Sequence, residues 1–289
     1  MKLNKLDKLM DNPRLVSGIH NYCDRWCERC PFTDRCLSFA MESQRHKKRG
    51  QKSGHSASHS ATHIAKPSND ENEDFWEEVE DIFRDTLDLI RQMAEEAGVD
   101  LNDLDSPEVQ AHMALNHQRS EDARRHDLAE RSLEYIRQVD HWFEEAAPLF
   151  KKKGLALESM VRMNVSGVDV ESEARALQNV VEVVRWYEPF IHVKLQRALH
   201  SQMDEVAEED EEMRAFPKDS EGTAKVALIA MDRSIGAWGQ LLRTFPERET
   251  PTLELLVYLD RLRRAVELQF PNARQFVRPG LDTISLLED

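Results

Sequence analysis

The four cysteines of this 289-residue chain all fall in the run Cys23-Asp-Arg-Trp-Cys27-Glu-Arg-Cys30-Pro-Phe-Thr-Asp-Arg-Cys36, a C-x3-C-x2-C-x5-C spacing. Thiolates at such short intervals suit a metal centre, because a bound metal cross-links a segment too short to have a core of its own. Disulfides are the poorer reading for a chain without a secretory leader, since reducing compartments do not sustain them. Cys23, Cys27, Cys30 and Cys36 are therefore the expected ligands. His20, three residues before Cys23, is a substitute fourth ligand or an outer donor.

The choice of metal turns on backbone shape. Asn12 and Pro13 read as a helix cap and first-turn proline, after which Val16, Ile19, Cys23, Cys27 and Cys30 share one helical face up to Pro31. On a regular helix Cys23 and Cys30 would lie about 10.5 Å apart along the axis. Tetrahedral zinc holds its sulfurs only about 4 Å apart, whereas a cuboidal cluster spreads its thiolates to roughly 6 Å. A regular helix thus predicts a [4Fe-4S] cluster, and zinc is the alternative if the helix breaks before Cys27. Thr33 is expected to cap a short helix from Asp34, aiming amide dipoles at Cys36. Tyr22, Trp26 and Phe32 would shield the site, packing of a very small module being the simpler role for them.

The stretch Cys27-Glu-Arg-Cys30-Pro31-Phe32-Thr33-Asp34-Arg35-Cys36 resembles the C-x2-C-P-x4-C end of the iron-sulfur loop in MutY-type helix-hairpin-helix DNA glycosylases. The resemblance covers about ten residues and implies ligation by Cys27, Cys30 and Cys36, with Cys23 as a displaced fourth ligand. This chain departs from that family in its three-residue first spacer, in placing the loop at the start, and in lacking a hairpin-helix signature, so glycosylase activity is not implied. Cys23, Cys27 and Cys30 also have the spacing of radical S-adenosylmethionine enzymes, but Arg29 stands where those have an aromatic residue, and no strand-helix barrel pattern follows.

Two further groups have types and spacing that could do chemistry. His55, His59 and His63 recur every four residues, but Ser and Thr between them disfavour the helix that would align them. Glu188 falls inside an apolar arc of Leu177, Val180, Val181, Val184, Tyr187, Ile191, Leu195 and Ala198, flanked by Arg185 and His192. Glu188 and His192 are the weak catalytic candidates, since an inward carboxylate with a histidine four residues on can line a pocket in a helical bundle. No Glu-x-x-His pair accompanies them, and a local ion cluster is the simpler expectation.

The elements that must hold these residues are helical throughout. Phe75, Val79, Ile82, Thr86, Ile90, Met93 and Ala97 recur at helical steps, and Ser106-Pro107 opens a second region running to Ala147 with a break near Gln118. Further helices are predicted over 170–206, 223–245 and 253–270, the last closed by Pro271. Trp238 between Gly236 and Gly239 suggests a close helix-helix approach. The expected architecture is all-α, an antiparallel bundle of about five helices at 73–271, preceded by a four-cysteine module at 1–43 and a Ser/His-rich linker at 44–72, and followed by a tail at 272–289.

Charge is uneven along this plan. Residues 1–66 carry a net +7 and the remainder −22. The basic run Arg45, Lys47, Lys48, Arg49 and Lys52 suits phosphates, but beside an acidic body it reads first as a solvated tether, so nucleic acid is the less favoured partner. The acidic run Glu205, Glu208, Glu209, Asp210, Glu211 and Glu212 reads as a solvated helix end. No apolar stretch approaches a membrane span, and Lys2, Lys5, Asp7 and Lys8 leave no signal-peptide core. The sequence therefore predicts a cytoplasmic adaptor or regulator that binds metal and a protein partner, with an iron-sulfur redox enzyme or electron-transfer component as the alternative.

Overall fold

The computed structural model describes residues 12–16, 18–43, 106–165, 167, 169–207 and 218–282, with scattered positions between 76 and 95. The all-α expectation holds: among the described residues there is no β-strand, only an isolated bridge between Val16 and Cys36. No helix among them is long and apolar enough to cross a membrane. Two compact units emerge, Met1–Ser17 with Arg29–Asn116 and Gly18–Glu28 with His117–Asp289. The linker and its His55, His59 and His63 lie outside the described residues, as do Phe75, Val79, Ile82, Met93 and Ala97; Thr86 and Ile90 are helical and exposed.

Among the described residues five long helices follow one another: α1 Pro107–Arg125, α2 Asp127–Arg162, α3 Val170–Ala207, α4 Asp219–Thr244 and α5 Glu249–Gln269. Ser106 caps α1 as expected, its Oγ accepting from the Val109 N–H at 3.4 Å. The break expected near Gln118 falls instead at His126, whose Nδ1 accepts from the Leu128 N–H at 3.2 Å. An imidazole nitrogen is an unusual cap, and residue preferences do not announce it. The start of α4 is capped from a distance: the Glu205 carboxylate accepts from the Ser220 N–H and hydroxyl at 2.8 and 2.6 Å. Glu205 is therefore not a merely solvated end of the acidic run, whose other members lie outside the described residues.

Helical periodicity then dictates the packing. Along α2, Leu128, Ser132, Tyr135, Val139, Trp142 and Ala146 form a buried row, and along α3 Val180, Val184, Tyr187, Ile191, Leu195 and Ala198 do the same. Trp142 and Trp238 meet edge-on at 4.9 Å between ring centres. Their ring nitrogens donate to Thr252 Oγ1 at 3.0 Å and to the Tyr135 hydroxyl at 2.9 Å, so neither buried N–H is stranded.

Gly236 and Gly239 do not mark a close approach, because a Cβ at either would meet nothing within 4 Å. The crowded glycine is Gly222, where a Cβ would sit 2.5 Å from Tyr22 Cε1 and 2.7 Å from Phe276 Cζ. Phe276 follows the short turn Ala273–Gln275, whose Ala273 is fully buried. Lys225 joins this segment through Asp282 at 2.9 Å, and Arg278 grips the same carboxylate. The described part of the expected tail is thus packed structure.

Candidate metal centre

The expected single helix through Asn12 and Cys30 is replaced by a chain of turns. Asn12 is not a helix cap; its side-chain oxygen accepts from the Arg14 N–H at 3.1 Å and closes a local turn. Gly18 at φ 73° leads into a 3-10 turn, Ile19–Tyr22, after which Cys23 is extended, with φ −105° and ψ 169°. Asp24 Oδ1 then accepts from the Trp26 N–H at 3.2 Å, and Arg25 is left-handed at φ 54°. Further 3-10 turns follow at Cys27–Arg29 and Thr33–Arg35. Polar side chains that bond their own backbone offer it an alternative to helix, and here the alternative wins. Cys23, Cys27 and Cys30 therefore share no helical face, and the 10.5 Å spacing that favoured a cluster over zinc does not apply.

Backbone amides lie near the sulfurs of Cys23, Cys30 and Cys36. In the first unit, Phe32 N–H donates to Cys30 Sγ and Phe39 N–H to Cys36 Sγ, both at 3.4 Å. The helix whose amides reach Cys36 runs over 37–43, not from Asp34, and Thr33 is the first residue of the 3-10 turn, not its cap. In the second unit, Arg25 N–H donates to Cys23 Sγ at 3.4 Å, while the Cys23 thiol lies 3.5 Å from the His20 carbonyl as a donor. All four cysteines are unbridged and half-buried. Cys23 and Cys27 belong to the second unit, Cys30 and Cys36 to the first. Among the described residues no three His, Cys, Asp or Glu side chains gather around a common metal position.

The residues around Cys23 and Cys27 dock on α3 and α4, which sequence reasoning did not foresee. The Asp24 carboxylate accepts from the Tyr187 hydroxyl at 2.7 Å and is paired with Arg233, which also reaches Tyr187. Burial, reinforced by the Asp24 hydrogen bond, pushes the Tyr187 phenol up to about 12, so it remains a donor. The Asp24 carbonyl accepts from Trp186 Nε1 at 3.1 Å, and Trp26 stacks on Trp186 with ring centres 4.9 Å apart. Tyr22 donates to Asp219 at 3.0 Å and packs on Phe276. Lys194 donates to the Asn21 carbonyl at 3.1 Å. Tyr22 and Trp26 thus pack against the bundle, not within a separate miniature core.

His20 sits in the first turn with a buried Nδ1 that has no hydrogen-bond partner among the described residues. Burial, and then Arg25, Arg197 and Lys194, hold its pKa below the usual value, so the ring is neutral at pH 7. A neutral imidazole with an unused nitrogen retains ligand character.

Glu188 and His192 are placed on separate partners. Glu188 is buried and takes two hydrogen bonds from Arg185 Nη1, at 3.0 and 3.3 Å; the same guanidinium reaches Asp140 at 2.5 Å and lies 4.2 Å above the Phe143 ring. Burial outweighs Arg185 and pushes the carboxyl up to about 7. His192 Nδ1 meets Ser132 Oγ at 2.8 Å, and because that hydroxyl donates to the Ala129 carbonyl at 2.7 Å, the Nδ1–H is the donor. Burial lowers the His192 pKa as well. An open groove of about 580 Å³ between α4 and α5, bordered by Ile235, Leu256 and Arg263, includes neither residue.

Compared with protein-family models, curated proteins and solved structures, the chain matches none.

Proposed function

We propose that this chain is a metal-binding helical adaptor or regulatory protein, in which Cys23, Cys27, Cys30 and Cys36 hold one metal centre and the helical bundle engages a macromolecular partner. The observation that carries this reading is the set of backbone amides directed at sulfur, at Cys23, Cys30 and Cys36. An N–H aimed at sulfur stabilises the thiolate and tunes a metal bound to it, and a neutral thiol, a weak acceptor, gains less from such a bond. Their clustering in sequence supports a single site.

The resident group of the reading is a [4Fe-4S] cluster. Zinc is the second reading, and a specific observation favours it: the backbone turns at Cys23 and again at Cys27, which frees the thiols from the helical spacing that tetrahedral zinc cannot accommodate.

Metal analysis with an absorption spectrum on anaerobically purified protein, wild type against Cys30→Ser, tests both. About four irons with a broad visible band that the variant loses establishes the cluster. One zinc without visible absorption establishes the zinc form and removes redox chemistry from the reading. Stoichiometric metal in neither preparation sinks the proposal.

A further inference from the structure

Helix α5 carries two stripes. One is the buried row Thr252, Leu255, Leu259, Leu262 and Val266 that packs into the bundle. On the outer side Leu253, Val257 and Leu268 are exposed, Leu268 at 84%, and Arg261 and Arg264 lie between them at helical steps. The groove of about 580 Å³ borders Val257 and Arg261, and a second hollow of about 390 Å³ reaches the same two residues from the side of Leu253. Arg261 makes no hydrogen bond or ion pair among the described residues, and Arg264 meets Asp260 at 2.9 Å with most of its side chain in solvent.

A second stripe lies on the segment before α1. All described positions between 76 and 95 are helical, and Trp76, Phe83, Leu87 and Ile90 are exposed, Phe83 at 67%. Their spacing puts them on one face, with Glu80 among them. Residues 76–95 hold seven acids against two arginines, so two such segments repel each other, and two α5 stripes would set arginine against arginine. Neither stripe suits a copy of itself, whereas each suits the other.

The match extends to register. From Leu268 through Arg264 and Arg261 to Val257 the steps are four, three and four residues, and from Trp76 through Glu80 and Phe83 to Leu87 they are the same. Laid antiparallel, Glu80 therefore faces Arg264, the Phe83 ring faces Arg261, Leu87 faces Val257, and Ile90 comes to Leu253. A parallel alignment started from Leu253 and Trp76 instead sets Glu80 against Val257 and Arg84 against Arg261.

We infer that the outer stripe of α5 docks the helical segment 76–90 of a second copy of this chain, in antiparallel register. The contact lies between chains and requires no particular arrangement of the two units within one. Reciprocal exchange forms two seams and closes a symmetric dimer. No cysteine belongs to either stripe, so the inference stands independently of the metal reading.

Sedimentation of the full chain from about 1 to 100 µM, with and without chelator, reads the association. Wild type is expected to form a concentration-dependent dimer in both conditions. Glu80→Arg and Arg264→Glu are each expected to raise its dissociation constant about tenfold, because each sets like charges together in both seams, and the double variant is expected to recover most of the affinity. Both side chains are largely in solvent, so circular dichroism of every variant is expected to match wild type. Mixing Leu87→Ser with Val257→Ser restores one intact seam and is expected to bind more tightly than either variant alone. A dimer indifferent to Leu87→Ser and Val257→Ser overturns the inference, as does a double charge variant weaker than both singles. A monomer throughout the range also overturns it, including one whose melting temperature follows the charge exchange, which would place the seam within a single chain.

Discussion

Tyr187 donates its hydroxyl proton to the Asp24 carboxylate at 2.7 Å across 163 positions of sequence, and so fastens the segment between Cys23 and Cys27 to helix α3. The same carboxylate pairs with Arg233 of α4, which makes Asp24 the point where three parts of the chain meet.

Asp24→Ala is expected to cost about 1–3 kcal/mol, because it strands the Tyr187 hydroxyl and removes the anion from a half-exposed Arg233. Tyr187→Phe is expected to cost less. In a double-mutant cycle by chemical denaturation the two losses are non-additive; additive losses would show that the contact contributes nothing of its own.

Two glycine substitutions on one helix are expected to move stability in opposite directions. Gly222→Ala drives a Cβ to within 2.5 Å of the Tyr22 ring, forcing Tyr22 and Phe276 apart, a strain of about 1–3 kcal/mol. Gly236→Ala meets no atom within 4 Å and gains helix propensity of about 0.5–1 kcal/mol. Melting temperatures of the two single variants check the pair, and a fall in both contradicts the packing described for α4.

Stability is expected to carry a pH dependence written by Glu188. Its carboxyl is raised to about 7 in the folded chain, from an ordinary value of 4.5, so between those values the folded state binds the extra proton. The stability contribution is complete below the unfolded pKa and is lost as pH rises through about 7. His192, lowered by burial, acts in the opposite sense, because charging it in acid disfavours the fold. Denaturation curves for wild type and Glu188→Gln between about pH 5 and 8 separate the two: the variant is expected to lose the decline toward high pH, and identical profiles would dismiss the assignment.

Thr252→Val removes the acceptor of the Trp142 ring N–H while preserving shape. Both side chains are buried, so the stranded donor is expected to cost about 1–3 kcal/mol with no loss of helix content. Urea denaturation with circular dichroism reads both quantities, and an unchanged midpoint would mean that the ring nitrogen finds another partner.

Much of the bundle was legible from periodicity. The helix expected over 170–206 is observed as Val170–Ala207, and its apolar arc, Val180 to Ala198, is the buried face. Ser106 and Pro107 announced the start of α1 through local chemistry alone. The same reasoning misled at the cysteines. Val16, Ile19, Cys23, Cys27 and Cys30 have helical spacing, but Asn12 and Asp24 bond their own backbone and divert it, and three- and four-residue spacing is necessary for a helix face without being sufficient for a helix.

The sequence by itself determined what depends on neighbours a few residues apart: the all-helical character, the start of α1 and the limits of α3, the core faces and the thiol spacing, whereas the region expected to end at Ala147 continues to Arg162. Only the tertiary structure decided what depends on groups far apart in the chain. It showed that Glu205 caps α4, that Gly222 and not Gly236 is crowded, and that Asp24, Tyr22 and Asn21 are held by Tyr187, Asp219 and Lys194. The physical reason is that periodicity reports which side of an element is apolar, whereas a buried polar group must be satisfied by whichever partner the folded chain brings beside it.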